Sequence, residues 1–307
     1  MSDHHRLGIM WALAAAFCVA AFVVPWKIAS LHGEASINTL VLLLSAAIFN
    51  SLLTAYQQKS FPAFRWFDLR VATALAVITL LGNLASANAI EQLSPALLIV
   101  VQRSEVIIVA LLAWPIIGER IDRRFWLGAG LAACGLLLLQ DPFAGGEPRT
   151  TGMAWAGASA LCFSSMAVIT RKFIHRFDAV TVNALRLWLA VALWFLWNGF
   201  PAELSEISTR QAGYATLAAF FGPFLGRLCL MTSARYVEAR ISTLSTLAAP
   251  PLTLALGYVV LSDLPSAREI QGGIVMLIGI SIPILGWAQS RPRPSPARVE
   301  STASSAK

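Results

Sequence analysis

The stretch Ser94–Ile117 reads SPALLIVVQRSEVIIVALLAWPII and joins two properties that rarely occur together. About 20 apolar residues rising 1.5 Å each cross the roughly 30 Å hydrocarbon core of a bilayer, and this stretch is long enough. Four polar residues, Gln102 to Glu105, nevertheless lie near its middle. A charge at that depth costs about 2.5–3.5 kcal/mol on insertion scales, which makes such residues functional candidates. The stretch predicts a membrane helix with a polar centre.

The two charges of this stretch raise the question of their partners. On a continuous helix Arg103 and Glu105 lie about 200° apart, so we expect that they cannot pair with each other, whereas Gln102 and Glu105 share a face. Each charge then needs a partner on another helix, in water or in a ligand. Two interpretations stay open: structural ion pairs between helices, or a substrate or proton site of a transporter.

The whole chain has the composition of a polytopic membrane protein. It is 57% hydrophobic and only 13% charged, with a mean hydropathy of +0.68, whereas soluble domains carry about 25% charged residues. The polar, Pro- and Ser-rich tail 290–307 predicts a disordered segment. Ten apolar runs predict ten spans: 7–26, 36–56, 70–90, 94–117, 125–140, 152–170, 179–198, 211–233, 241–261 and 269–288.

The chain repeats itself at an offset of 144 residues, which indicates an internal duplication. We therefore predict one five-helix repeat over 1–140, a second over 141–289, and the tail over 290–307. Because five is odd, the two halves must enter the membrane in opposite directions, as in inverted-repeat transporters, whose sites lie near the midplane. The matches that coincide at this offset include Trp11 with Trp155, Cys18 with Cys162, Gly82 with Gly226, Gly128 with Gly272, and Gly135 with Gly279.

The basic residues predict the orientation, because cytoplasmic loops are enriched in Lys and Arg. With the N-terminus taken as cytoplasmic, three of the 23 basic residues lie inside spans and sixteen on the cytoplasmic side. The opposite side then holds only Lys27, Arg149, Arg210 and Arg268. We expect a multi-pass protein of the plasma (inner) membrane with both termini in the cytoplasm. This distribution also accounts for the net charge of +7 without a nucleic-acid partner.

Two stretches at equivalent positions carry a family resemblance: AIEQLSPALLIVVQRSEVIIVALLAWPIIGERIDRRFWLGAGL from Ala89 and ARYVEARISTLSTLAAPPLTLALGYVVLSDLPSAREIQGGIVML from Ala234. They resemble the EamA-type, ten-helix members of the drug/metabolite transporter superfamily. Gly118, Glu119 and Gly128 fit the family pattern in the first copy. Pro250 and Asp263 fit the second, in which Asp263 stands for the usual Glu. The resemblance implies transport of a small metabolite and leans to export, but it does not indicate which metabolite.

Further polar residues inside the spans extend the candidate site. Arg186 follows Asn183 by three residues on the same face. Two interpretations are open for it: a cavity role, or snorkelling to the interface or structural pairing. Trp188 lies deep enough in the same span to line a cavity. Arg227 and Asn83 coincide at the 144-residue offset, so both third helices carry a polar group at one depth. A structural hydrogen-bonding position in both halves is the alternative.

Several chemistries have no support in the sequence. No Gly-rich nucleotide-binding loop and no HExxH motif are present, and the four histidines lie in tails or links. The four cysteines lie in apolar runs without metal-ligand spacing. We therefore expect no enzyme activity, no catalytic residues, no metal and no cofactor. The sequence does not indicate an oligomeric state.

Three span arginines against one span carboxylate favour a substrate with a carboxylate or phosphate group. We expect a secondary transporter that exports its substrate by alternating access. Glu105 has two open roles, carrying a coupling proton or holding an arginine. The rival is a non-transporting membrane helper or sensor. The candidate site comprises Arg103, Glu105, Arg186, Arg227, Asn83, Gln102, Asn183 and Trp188.

Overall fold

The computed structural model describes residues 3–30, 34–57, 66–93, 101–118, 121–140, 150–200, 207–252 and 267–289, and within these ranges all regular structure is helical. Glu119, Asp263 and the tail 290–307 lie outside the described residues. The helices are α1 Asp3–Ser30, α2 Ala35–Gln57, α3 Trp66–Gln92, α4 Glu105–Ile117, α5 Arg123–Gln140, α6 Thr150–Phe173, α7 Ala179–Asn198, α8 Thr209–Ser233, α9 Ala239–Ser245 and α10 Ala267–Gln289.

Five of these helices are long and apolar enough to cross a membrane: Ala35–Gln57, Trp66–Ala89, Thr150–Phe173, Ala179–Asn198 and Thr209–Ser233. Shorter apolar helical segments cover Arg6–Phe22, Glu105–Ile117 and Ile270–Pro283. The described part of the chain is therefore helical throughout its regular structure, and its long apolar helices are those of an integral membrane protein.

Local sequence sets several helix ends. Asp178 begins α7, and its carboxylate accepts from the Thr181 backbone N–H over 2.8 Å. Ser208 does the same for α8 through Gln211 N–H at 3.1 Å. Such side-chain acceptors satisfy amide donors that have no partner in the first turn of a helix. Gly118 ends α4 with a φ of 79°, in the left-handed region that glycine adopts without strain.

Helix contacts pair the two halves reciprocally. A Cβ added at Gly128 on α5 would lie 2.5 Å from the Gly279 carbonyl oxygen on α10, and one added at Gly135 would lie 2.7 Å from the Gly272 carbonyl oxygen. The 144-residue offset exchanges these two contacts, since Gly128 corresponds to Gly272 and Gly135 to Gly279. The pairing also shows that α5 and α10 run antiparallel. Such exchange is the mark of a two-fold, self-complementary interface.

The contact between α3 and α6 has an equivalent contact between α8 and α1 at the 144-residue offset. Gly82 on α3 faces Cys162 on α6, with an added Cβ 3.1 Å from the Cys162 Cβ. Gly226 on α8 faces Cys18 on α1, with the corresponding distance 3.2 Å. The glycines lie where two backbones approach closely, a position that small residues favour in membrane helices.

Two irregular segments bring polar residues to the centre of the bundle. Residues 103–104 form a turn between helical residues 101–102 and α4, with Val106 N–H donating to the Arg103 carbonyl at 3.2 Å. The continuous helix predicted across Ser94–Ile117 is therefore wrong at its centre. In α8, Phe220–Gly226 form a π-helical segment around Pro223, which lacks an N–H donor. Arg227 follows this segment directly.

Candidate substrate cavity at the bundle centre

A cavity of about 190 Å³ lies between α1, α3, α6, α7, α8, α9 and the turn at 103–104. This volume suits a small metabolite, because pockets for drug-sized ligands measure roughly 300–1,000 Å³. The apolar part of the cavity wall includes Phe22, Trp26, Phe163 and Met166. The polar and charged lining residues are Thr79, Asn83, Ser86, Gln102, Arg103, Glu105, Thr170, Arg186, Arg227, Ser242, Thr243 and Thr246. We name this space the central cavity.

Arg186 is the most deeply buried charge of the cavity wall, with 1% of its surface exposed. Its Nη1 donates to Thr79 Oγ1 at 2.6 Å and to Met166 Sδ at 3.3 Å, and its Nη2 donates to Asn183 Oδ1 at 2.7 Å. Its Nε has no partner among the described residues. The side chain therefore does not snorkel to the interface, and only neutral acceptors hold it.

A relay of amides orients the acceptor beside Arg186. The Asn183 Nδ2 donates to Asn50 Oδ1 at 2.8 Å, and the Asn50 Nδ2 donates to the Val180 carbonyl at 2.7 Å. Because the Asn183 Nδ2 points at Asn50, the Asn183 Oδ1 on the other side of the amide faces Arg186. Asn183 itself is fully buried and does not line the cavity. It acts on the cavity by fixing the guanidinium.

Arg103 and Glu105 form an ion pair, with Arg103 Nη1 3.2 Å from Glu105 Oε1. The expectation that these two charges cannot pair was wrong, because it assumed an unbroken helix, whereas the turn at 103–104 changes the direction of the Arg103 side chain. Arg103 Nη1 also donates to Thr246 Oγ1 of the 3-10 turn that follows α9, at 3.2 Å. Both charged side chains are largely buried, at 14% and 17% exposed.

Arg227 is half-buried and lines the cavity. Within the described part of the chain its guanidinium makes no hydrogen bond and no ion pair. Its repeat equivalent Asn83 donates to the Thr79 carbonyl of its own helix at 2.8 Å and also lines the cavity. The interpretation of both as structural hydrogen-bonding positions therefore finds support at Asn83 alone.

Gln102 lines the cavity and donates through Nε2 to Ser86 Oγ at 2.8 Å and Ser159 Oγ at 3.3 Å. Trp188 lies elsewhere: it is 43% exposed, and its Nε1 donates to Ser51 Oγ at 2.8 Å. The prediction that Trp188 lines a cavity was wrong, because depth along a helix does not give the direction of a side chain. Six of the eight candidates thus line one cavity, and a seventh, Asn183, lies directly behind it.

Thr79 is the main residue that sequence reasoning missed. A threonine inside an apolar span normally bonds its own backbone, and Thr79 does donate to the Leu75 carbonyl at 2.6 Å. Its oxygen retains lone pairs and accepts from Arg186 as well. The available signal was its position four residues before Asn83 on the same helix face.

The charge inventory of the cavity is unbalanced. Three guanidinium groups and one carboxylate line it, and the carboxylate is paired with Arg103. Arg186 and Arg227 therefore face the cavity without a carboxylate at ion-pair distance among the described residues, although the negative charge of Glu105 still acts on Arg227. Guanidinium groups match carboxylates and phosphates with two parallel donors. The described residues contain no group of three or more His, Cys, Asp or Glu side chains that could hold a metal ion.

Comparisons with known proteins agree with this architecture. The family described as the EamA-like transporter family matches the chain twice, over residues 6–140 and 150–285. A curated relative from Streptantibioticus cattleyicolor, named "Probable terminal-alkyne amino-acid exporter", is 25% identical over 177 residues. The match covers 56% of this chain and 58% of that relative, so the chain spans less than two thirds of the relative's length.

A crystal structure of another protein has the same fold, with a TM-score of 0.73 at 17% identity over 90% of this chain and 97% of that one. The resemblance to EamA-type members of the drug/metabolite transporter superfamily is confirmed by the double family match. Two EamA repeats are present, and the chain belongs to the EamA-like transporter family.

Proposed function

We propose that the protein is a secondary transporter that exports a small metabolite carrying an anionic group. The anionic group binds between Arg186 and Arg227 in the central cavity. The observation that carries this proposal is Arg186, a 1% exposed cation with neutral partners only. A buried charge without a counter-ion is costly, and within membranes such groups mark substrate pathways.

Arg186 and Arg227 have different proposed roles in binding. Arg186 is pre-oriented by Thr79 and Asn183, so it offers a fixed donor. Arg227 is held by no described residue and is half-buried, so it can close on the ligand. A fixed donor lowers the ordering cost of binding, and a mobile one adapts to the substrate.

The substrate class is narrowed by the relative named as an amino-acid exporter. An amino acid carries a carboxylate for the arginines and an ammonium group, for which Glu105 is the carboxylate in the cavity wall. The same name favours export over import. We therefore rank small carboxylates, and amino acids first among them, above phosphate esters.

Alternating access is proposed on the basis of the two repeats. The contact exchange of Gly128 with Gly279 and of Gly135 with Gly272 supports an inverted arrangement of ten spans. The proposed repeats cover 1–140 and 141–289, and the bias of basic residues supports cytoplasmic termini in the inner membrane. Rocking of one repeat against the other would expose the central cavity to each side in turn.

Flux measured in proteoliposomes tests the proposal. Purified protein should take up labelled amino acids or organic acids in a saturable manner, and competition by sugar phosphates and nucleotides ranks the classes. A pH gradient imposed across the same vesicles tests whether transport is coupled to protons, and comparison with Glu105→Gln tests whether Glu105 carries the coupling proton. Absence of flux for every class would favour a non-transporting membrane helper.

A further inference from the structure

One end of the bundle is closed by two turns, 174–178 between α6 and α7 and 234–238 between α8 and α9. Ile174, Phe177 and Val237 are at most 7% exposed and fill this end with apolar side chains. Val237 also packs on the first turns of α1, where an added Cβ at Gly8 would lie 2.6 Å from it. Ala234, the first residue of the second turn, lines the central cavity.

Two arginines form hydrogen bonds between the α6–α7 segment and the α8–α9 segment, one in each direction. Arg171, in the last turn of α6, donates through Nη1 to the Ala234 carbonyl at the end of α8. Arg235, just after α8, donates through Nη2 to the Phe177 carbonyl before α7 at 3.2 Å. Each bond runs from a charged donor to a carbonyl that lies at or near a helix end.

These bonds lie immediately beyond the cavity. Thr170 and Ala234 both line the central cavity, and Arg171 and Arg235 are the residues that follow them in the chain. At the end of α6 and just after α8, a residue that lines the cavity is therefore followed directly by an arginine that bonds across to the other segment. Separating the two turns requires both bonds to break and would open the cavity at this end.

We propose that Arg171 and Arg235 form a latch that closes one mouth of the central cavity and must release in each transport cycle. The proposal deepens the proposed function, because it assigns the gate of the same cavity. Under the proposed topology this mouth faces the cytoplasm, the side from which an exporter loads its substrate. The alternative is that Arg171 only caps the C-terminus of α8 and Arg235 only stabilises the turn before α7.

Thiol labelling distinguishes a latch from a purely structural role of the two arginines. The four cysteines are replaced, a single reporter is introduced as Leu230→Cys on the cavity wall, and a charged, membrane-impermeant methanethiosulfonate is applied to vesicles of each orientation. Hydrogen bonds to charged groups each correspond to about tenfold or more in an equilibrium constant. Arg171→Ala combined with Arg235→Ala should therefore raise the labelling rate at least roughly tenfold from one side.

Arg176→Ala is the matched control, because Arg176 belongs to the same turn but lies over the Phe67 ring, 6.0 Å from its centroid. It should leave the labelling rate unchanged. Arg171→Lys with Arg235→Lys retains a charged donor at each position and should restore slow labelling. Hydrogen exchange of residues 174–178 and 234–238 in the chain with its native cysteines reports the turns themselves.

Faster exchange of the turns without faster labelling would mean fraying of helix ends and would overturn the latch. Equal labelling in the alanine and control variants would overturn it too. If the wild-type protein shows no flux of any substrate, the proposed function is refuted. The labelling response of the alanine variant would still support the latch. The vesicle orientation that responds reports the topology separately.

Discussion

Arg186 and Asn183 lie one turn apart on α7, and the guanidinium Nη2 donates to the amide Oδ1 over 2.7 Å. An amide at this position holds the arginine without neutralising it. A carboxylate there would hold it and neutralise it. The choice of amide keeps a positive charge available at the wall of the central cavity.

Asn183→Asp should therefore act as an internal competitor of the substrate. We expect the apparent affinity for an anionic substrate to fall by roughly tenfold or more, equivalent to about 1.4 kcal/mol. Asn198→Asp adds the same charge at the end of α7 and should change affinity little. Concentration-dependent flux of both variants gives the comparison, and equal effects of the two would contradict the role of Asn183.

The pair of Arg103 and Glu105 predicts a dependence between two substitutions. Glu105→Gln removes the only carboxylate from the described cavity wall and should lower the melting temperature, since breaking a buried pair costs about 3–5 kcal/mol. Arg103→Gln combined with Glu105→Gln should recover much of that loss. Additive destabilisation by the two changes would show that the ion pair contributes nothing.

Glu105→Gln also distinguishes its two open roles. If the carboxylate carries a coupling proton, the variant should transport without dependence on a pH gradient. If it only holds Arg103, the dependence on the gradient should stay as in the wild type while stability falls. Flux and melting temperature must be measured on the same purified samples.

The glycine contacts between α5 and α10 predict a position-specific effect of added methyl groups. Gly128→Ala introduces a Cβ 2.5 Å from the Gly279 carbonyl oxygen and should lower stability. Gly130→Ala meets no atom within 4 Å and should be neutral or stabilising, because alanine is favoured over glycine in helices by about 1 kcal/mol. Thermal denaturation of both variants in detergent tests this, and a loss of similar size in both would argue against close α5–α10 packing.

We expect closure of the latched mouth to depend on pH through His175, which lies in the turn between α6 and α7. Burial, followed by the charges of Arg171 and Arg235, lowers the pKa of His175 from its ordinary value of 6.5. Asp68 of α3, Arg176, and Asp178 at the start of α7 line the same surface pocket. With the mouth open, separation of His175 from Arg235 on the other turn and freer access of water move the pKa back towards 6.5, so the open form binds the proton more tightly.

Lowering the pH from about 7.5 to about 5.5, through the ordinary histidine range, should therefore favour the open mouth. The stabilisation of the closed form by neutral His175 is present above pH 6.5 and is lost as the pH falls below it. The labelling rate at Leu230→Cys should rise over this interval, and His175→Gln should remove the rise. An unchanged pH profile in His175→Gln would exclude this histidine as the cause.

Six of the eight residues predicted from the sequence line the central cavity, because buried charged and polar groups are costly in a membrane span and therefore stand out in the sequence. Arg186 with Asn183, and Arg227 with Asn83, could be identified from spacing and from the 144-residue repeat. The two repeats could likewise be predicted from the sequence, because matches of Trp, Cys and Gly at one offset seldom coincide by chance. Hydropathy and helical spacing were sufficient for these conclusions.

The missed features depend on geometry that spacing does not contain. Hydropathy treats residues 94–117 as one run, so the turn at 103–104, and with it the pair of Arg103 and Glu105, could not be predicted. Trp188 was wrongly assigned because the rotation of α7 is decided by packing on α2 and α3. The reciprocal bonds of Arg171 and Arg235 join residues 63 and 58 positions away in sequence.

Flux of a labelled small carboxylate, measured for wild type, Arg227→Gln and Arg186→Gln at equal reconstituted protein, tests the central claim most directly. Arg227 has no bond to any described residue, so its substitution should leave the melting temperature close to that of the wild type. We predict saturable flux in the wild type and loss of most flux in both variants, with Arg227→Lys recovering part of it through the retained charge. Flux in Arg227→Gln and Arg186→Gln equal to that of the wild type would contradict an anion site between these arginines.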